Sequence, residues 1–336
     1  MQKEKILLYL FHLRYKKKKN LIESILWHTY LIYKKFKTIL QKNNNLILSK
    51  VYLRQKQLER KILTGSHTFV TIEELVSWID EWIKHFPSNY DVVVGIPRSG
   101  LFVANLIALK MGKPLSTPDL FDRVFLATPM KTKQRYQNIL LVDDSIASGK
   151  TMEKNIKLLK AKCNDCNITK AAVIANENSK YLVDMYFKII PRPRIFEWGM
   201  IHAKKGKLAV DLDGVICEEI PPGMDSDSEQ YVAWLRNAKP YLVPIFEIDA
   251  IISNRLEKYR QETEDWLRRH GVIYKNLVLI DAQEKKEIRS KTEHKIKSLL
   301  RIKPDIFWES SYSGAEQIWK ATRIPTLCIS EKILFS

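Results

Sequence analysis

From about Thr64 onward the chain alternates short apolar runs with longer amphipathic stretches. A helical period over 71–85 leads into DVVVGI at 91–96, a continuously apolar run of strand length. A tight PRSG turn (97–100) opens a second helix, LFVANLIALKM. ILLV (139–142) and AAVIA (171–175) repeat the strand signal, with a helical stretch between them. Apolar strands alternating with helices predict a doubly wound parallel α/β sheet. The sequence PRPR at 191–194 marks a boundary, and a second series follows. It runs through KLAVDLDGV, AIISNR (250–255), a helix to His270-Gly271, VIYKNLVLI, a helix around Lys295–Leu300, DIFWESS and PTLCI. A second α/β unit is expected there.

Residues 1–63 differ in texture. They contain no Gly or Pro, and Ile22, Ile25, Leu26, Tyr33, Phe36 and Leu40 recur at three- and four-residue spacing. That rhythm predicts a helical arm, broken near Asn43-Asn44-Asn45. The expected organisation is therefore an arm (1–63), a first α/β domain (64–200) and a second (201–336).

Charge sharpens this division. Of the net +18, residues 1–61 carry 16 Lys/Arg against three acids, a surplus of +13 that leaves an ordinary balance for the rest. A basic amphipathic arm fits a peripheral contact with anionic lipid. It equally fits a hairpin that packs its apolar face and leaves a solvated basic one. No recognised motif accompanies the charge, so nucleic acid is not expected as a partner. ILLYLF falls far short of the ~20 apolar residues of a membrane span. KKKK at 16–19 stands where a signal peptide would have small cleavage-site residues, so a cytoplasmic, uncleaved chain is expected. Four cysteines make no disulfide framework, and the single CxxC at Cys163 and Cys166 is expected to be a plain loop.

Two segments carry chemistry. ILLVDDSIASGKT (139–151) ends in the letters of a P-loop, but the position five before Gly149 is Asp144, where that motif needs glycine. Asp143 and Asp144 end a strand, where ligands of parallel sheets bind. Ala147, Ser148 and Gly149 then let backbone N–H groups converge before the next helix, a natural phosphate seat. Carboxylates for ribose hydroxyls followed by a phosphate cradle describe a sugar-phosphate site; acidic capping residues are the plain alternative. In DLDGV, Asp211 and Asp213 project to one side of an extended strand end. One can attack a phosphoryl group while the other moves a proton, or the pair can simply bind metal.

ILLVDDSIASGKT resembles the phosphoribosyl-pyrophosphate (PRPP) signature of type I phosphoribosyltransferases, and VVVGIPRSGLFVANLIA resembles their first strand and pyrophosphate loop. The resemblance covers roughly residues 68–200. It implies that Asp143 and Asp144 contact ribose hydroxyls and that Ala147, Ser148, Gly149, Lys150 and Thr151 hold the 5-phosphate. It also implies that Arg98, Ser99 and Gly100 face magnesium pyrophosphate. DLFDRVFLATPMKTKQR is then expected to be a mobile lid, with Arg123, Lys131, Lys133 and Arg135 as candidate phosphate clamps.

DLDGV similarly resembles the first motif of haloacid dehalogenase-like phosphatases, over about residues 205–330. This implies Ser253 as a phosphate-binding hydroxyl, Lys295 as the charge-neutralising lysine, and Asp211, Asp213 and Glu309 as the Mg²⁺ set. Lys291 and Lys297 compete with Lys295 for that role. Many relatives carry a second acid after the glutamate, where this chain has Ser310. The 39 residues between Asp213 and Ser253 leave room for a small cap only.

A transferase that leaves a ribosyl 5-phosphate, joined to a phosphatase, installs plain ribose. The pairing resembles fused PRPP-dependent ribofuranosyltransferase–phosphatases of bacterial surface-polysaccharide synthesis. That implies a β-ribofuranosyl product on a glycan, polyprenyl-diphosphate-linked at the inner face of the cytoplasmic membrane, in O-antigen or capsule assembly. Asp119 and Asp122 are candidate general bases for the acceptor hydroxyl. The alternatives are a nucleobase phosphoribosyltransferase fused to a nucleotide phosphatase, as in salvage, and a regulatory protein that senses PRPP.

Overall fold

A computed structural model describes residues 67–121, 136–204, 206–224, 228–281 and 290–336. The expected arm, Asp122, Arg123 and the other lid residues, Lys131, Lys133 and Arg135, lie outside the described residues.

The first sheet has five parallel strands in the order β3-β2-β4-β5-β6: β2 (Val92–Gly95), β3 (Leu115–Ser116), β4 (Asn138–Ser145), β5 (Asn167–Ala175) and β6 (Met185–Ile189). Helices α1 (Ile72–Trp82), α2 (Ser99–Met111) and α3 (Lys150–Lys162) accompany it. Thr71 caps α1 in a reciprocal capping box with Glu74, so the expected helix starts where its polar signal lies. Side chains of β2 and β4 alternate between two cores: Val93, Leu140 and Val142 on one face, Val92, Val94, Ile139 and Leu141 on the other. Burial on both faces explains why these strands read as unbroken apolar runs.

The second sheet has the order β10-β9-β8-β11-β12-β13. Its strands are β8 (Leu208–Val210), β9 (Ala250–Leu256), β10 (Leu277–Ile280), β11 (Ile306–Glu309), β12 (Thr326–Cys328) and β13 (Ile333–Phe335). All pairs are parallel except the final hairpin-like β12–β13 pair. Helices α4 (Glu229–Asn237), α5 (Arg260–Arg269), α6 (Lys291–Ile302) and α7 (Tyr312–Thr322) belong to this half. Among the described residues, α4 is the helix of the short insertion between Asp213 and Ser253. The architecture is thus α/β with two parallel sheets.

Between the sheets lies a two-stranded parallel ribbon that the sequence pattern does not announce: β1 (Thr68–Val70) paired with β7 (Arg194–Phe196). Cys163 and Cys166, expected as a plain loop, form a disulfide across the turn after α3. Their Cα atoms stand 5.5 Å apart, within bridging range.

Candidate functional site

Both carboxylate segments sit where their sheets reverse strand order. In the first sheet the chain passes from β2 outward to β3 and then returns to β4 on the other side of β2. In the second, β8 is flanked by β9 on one side and β11 on the other. Such switch points leave a crevice beyond the carboxyl ends of the strands.

At the first crevice, β4 carries Asp143 and Asp144 at its end. Asp143 Oδ1 accepts from the Asp144 amide at 2.9 Å, and Asp144 Oδ2 accepts from the Trp198 indole N–H at 2.7 Å. Burial, reinforced by the neighbouring Asp144 charge, pushes the Asp143 carboxyl up to about 8. Gly100 packs against this pair: a Cβ there would stand 2.8 Å from both Asp143 Oδ1 and the Val142 carbonyl oxygen. The first turn of α2 therefore sits this close to the end of β4 only because residue 100 has no side chain. Gly149 takes a left-handed φ of 76° as the N-cap of α3, with no side chain capping the helix. Its first amides are left to whatever anion the Ala147–Thr151 turn receives. Lys150 and Thr151 are exposed on the first turn.

Arg98 is exposed and lines a cavity of about 500 Å³ with Leu101, Phe102, Leu115, Thr117 and Leu120; Ser99 begins α2. Asp119 lies in the turn after β3. Its carboxylate accepts from the Thr117 hydroxyl at 2.6 Å, which holds its pKa below the usual range and makes it a weaker base. Arg194 and Trp198 were not singled out by sequence. Arg194 is buried and donates to the carbonyls of Ala175, Ile190 and Ile146, and Trp198 stacks on Phe196 with centroids 4.6 Å apart. Neither belongs to a spaced motif, so only the fold brings them to Asp144.

The second crevice gathers residues from two adjacent strand ends and a helix. Asp211 follows β8, Glu309 ends β11, and Lys295 reaches in from α6. Lys295 Nζ stands 2.6 Å from Asp211 Oδ2 and 2.8 Å from Glu309 Oε2, with all three side chains buried. Burial opposes the ammonium, but the two carboxylates outweigh it and hold the Lys295 pKa above an ordinary lysine. Burial also raises Asp211, to about 8, against the pull of Lys295. Ser310 Oγ lies 3.4 Å from Asp211 Oδ2 and 3.3 Å from Glu309 Oε1. Lys297 pairs instead with Glu293 on its own helix, and the side chain of Lys291 lies outside the described residues; among the described lysines Lys295 is the one paired with Asp211 and Glu309.

Two expected roles are placed differently. Asp213 lines the same cavity as Asp211 and Glu309, but its carboxylate is engaged in an ion pair and not left open as a third metal ligand. The buried guanidinium of Arg255 holds it, with Nε donating at 3.0 and 3.2 Å and Nη2 at 2.6 Å. Ser253 is fully buried, and its Oγ accepts from the Arg255 amide. Its neighbour Asn254 lines the cavity of about 280 Å³ instead, together with Asp211, Asp213, Lys295, Glu309 and Ser310. Among the described residues no cluster of three or more His, Cys, Asp or Glu side chains is arranged to hold a metal ion. Asp211, Glu309 and the Ser310 hydroxyl are nevertheless oxygen donors of the kind Mg²⁺ prefers, with the cavity free for water ligands.

Residues 61–204 match the family described as "Phosphoribosyl transferase domain". A protein from Methanocella arvoryzae titled transcriptional regulator GfcR is 30% identical over 97 residues, covering 25% of this chain and 46% of its own length. The chain thus spans about half of that relative. Among solved structures, the xanthine-guanine-hypoxanthine phosphoribosyltransferase of Helicobacter pylori is 21% identical with a TM-score of 0.33, over 40% of this chain and 93% of that one. A purine phosphoribosyltransferase from Pyrococcus horikoshii is 19% identical with a TM-score of 0.32, over 40% and 94%. The chain therefore carries a phosphoribosyl transferase domain in its first α/β half. Among the described residues no helix is long and apolar enough to cross a membrane.

Proposed function

We propose that this chain is a two-step ribofuranosyltransferase. The first α/β half moves 5-phosphoribosyl from PRPP to a glycan hydroxyl, and the second, a haloacid dehalogenase-like phosphatase, removes the 5-phosphate. One observation carries the reading: a phosphoribosyl transferase domain shares its chain with a second switch-point crevice, where Lys295 bridges Asp211 and Glu309 beneath a cavity. A nucleotide-making enzyme gains nothing from dephosphorylating its product, whereas a glycan-ribosylating one does.

In the first step the acceptor oxygen attacks the anomeric carbon as the bond to pyrophosphate breaks. The Ala147–Thr151 turn and the first amides of α3 suit the 5-phosphate. Arg98 and the loop after β2 suit the departing pyrophosphate, and Gly100 lets the start of α2 sit against Asp143. The hydroxyl proton needs a base, and a carboxyl raised to about 8 suits that role near neutral pH better than Asp119, whose pKa is lowered. Direct displacement on the α-configured donor gives a β-ribofuranoside.

In the second step a carboxylate oxygen of Asp211 attacks phosphorus and the sugar O5–P bond breaks. Asp213, oriented by Arg255, gives O5 its proton and then takes one from the water that releases inorganic phosphate. Lys295 offsets the gathered negative charge. Asp211 and Glu309 would hold Mg²⁺, which supplies charge stabilisation at the transferring phosphoryl group. The acceptor, an O-antigen or capsule glycan on a polyprenyl diphosphate, and a lipid contact of the N-terminal arm at the inner membrane face complete the proposal.

The test supplies PRPP and Mg²⁺ with either a lipid-linked glycan or free nucleobases. Pyrophosphate release with the glycan supports the reading; release only with a nucleobase defeats it. Asp211→Asn is expected to accumulate acceptor bearing ribose 5-phosphate, seen as a phosphate-sized mass increment absent from the wild-type product.

A further inference from the structure

The cavity above Asp211 is lined by residues of different chemistry. Besides the phosphoryl-directed cluster of Asp211, Lys295 and Glu309, its lining includes Asn254, Glu219 and Ile220. The amide oxygen of Asn254 is buried and has no hydrogen-bond partner, although buried acceptors in folded proteins are normally satisfied. Glu219 lies against Gly214 and Ser310: a Cβ added at Gly214 would run into the Glu219 Oε2 atom and the Ser310 Cβ. Glu219 lines the same cavity as the attacking aspartate.

An amide oxygen and a carboxylate both accept hydrogen bonds. A phosphate dianion satisfies neither, because it brings no proton to donate, whereas a sugar hydroxyl can. The volume, about 280 Å³, lies near the small end for ligand sites and suits a pentose more than a larger body. Ile220 adds an apolar contact for the carbon side of such a ring.

We propose that Asn254 and Glu219 form a hydroxyl-reading subsite that restricts this cavity to phosphate monoesters of sugars or similar polyols. The inference deepens the phosphatase reading of the same site and rests on it. The two residues act on recognition, and the bond-breaking step stays with Asp211 and Asp213.

The experiment compares methyl β-ribofuranoside 5-phosphate with phenyl phosphate, which has no hydroxyl, on the full chain with Mg²⁺. The readout is the ratio of their kcat/KM values. The wild type is expected to favour the ribofuranoside, and Asn254→Ala and Glu219→Ala are each expected to lower the ratio about tenfold, the effect of losing roughly 1.4 kcal/mol. Asn254→Asp, which keeps shape and an acceptor, is expected to retain the preference; it also covers the case in which the alanine variant fails to fold. A ratio unchanged in the variants overturns the subsite. If Glu219→Ala weakens Mg²⁺ binding in calorimetry, its carboxylate serves the cation and its assignment to the subsite falls. If the wild type hydrolyses neither compound, the phosphatase reading fails separately. Calorimetric binding still decides the subsite then: tighter binding of the ribofuranoside than of phenyl phosphate must be present in the wild type and lost in Asn254→Ala.

Discussion

Arg255 shows how much of the second centre depends on one buried side chain. It is 1% exposed, gives Asp213 three N–H···O contacts, and lies 5.3 Å from the Trp234 ring centroid. Removing it leaves Asp213 as an uncompensated buried charge, so Arg255→Met is expected to lower stability by about 3–5 kcal/mol. The double change Arg255→Met with Asp213→Leu should cost clearly less, because it leaves no orphan charge. Urea unfolding of the three proteins checks this ordering, and equal losses would refute it. Arg255 was open to detection in the sequence, since it shares a strand face with Ser253 two positions earlier. What hid it was the absence of any rule tying that face to Asp213, 42 residues back. At the first centre, the pKa of Asp143 near 8 has a sign that can be worked out. The carboxyl is mostly protonated at neutral pH, so a reaction that needs it as a base should speed up as pH rises through about 8. Folding favours the protonated form of this raised acid. Its burden on stability is therefore absent below the unfolded value near 4, grows as pH rises, and is complete above 8. Asp143→Asn is expected to flatten both profiles, measured as pyrophosphate release and thermal midpoint between pH 6 and 9.

At the scale of elements, reactive groups cluster where neighbouring strands end and the connecting loops touch. Gly100 is one such contact, against Asp143 and the Val142 carbonyl of β4. Gly100→Ala would force a methyl group into Asp143 and the backbone of β4, an overpacking that typically costs about 1–3 kcal/mol. PRPP-dependent pyrophosphate release should fall at least tenfold in this variant, while hydrolysis of a simple phosphate monoester at the other centre should hold. Equal loss of both would mean that the change acts through global unfolding instead. The strands bearing these loops were legible because burial on both faces writes itself as VVVG, ILLV and AAVIA. The two-residue β3 and three-residue β1 and β7 were not, for a strand that short carries no period to read. Helices α4 and α7 went unannounced for a related reason. They are nine and eleven residues long, and each starts at a serine cap that is equally common in loops.

For the molecule as a whole, the β1–β7 ribbon joins the two halves more firmly than a linker would. Alternation along its strands sends Phe69 and Ile195 into the core of the second sheet, and Val70 and Phe196 against that of the first. Met200 extends the second contact. Glu197, next in the chain, accepts from the Ile72 amide at 2.8 Å and pairs with Lys332 from the C-terminal hairpin at 2.8 Å. The Ser336 hydroxyl donates to the His67 carbonyl. Local sequence marks a break at Pro191–Arg194 because proline interrupts regular structure there, but pairing between Thr68 and Arg194 is a long-range event with no local signature. A shared ribbon makes a specific thermodynamic demand. Ile195→Ala opens a cavity in the second core at a cost of about 2–5 kcal/mol, yet Phe196 beside it supports the first. Calorimetry should then show one transition shifted as a unit, with pyrophosphate release and phosphatase activity lost at the same temperature. Two separable transitions, with only the phosphatase lost early, would mean that the ribbon is a tether between independent domains and that the two centres are merely carried on one chain.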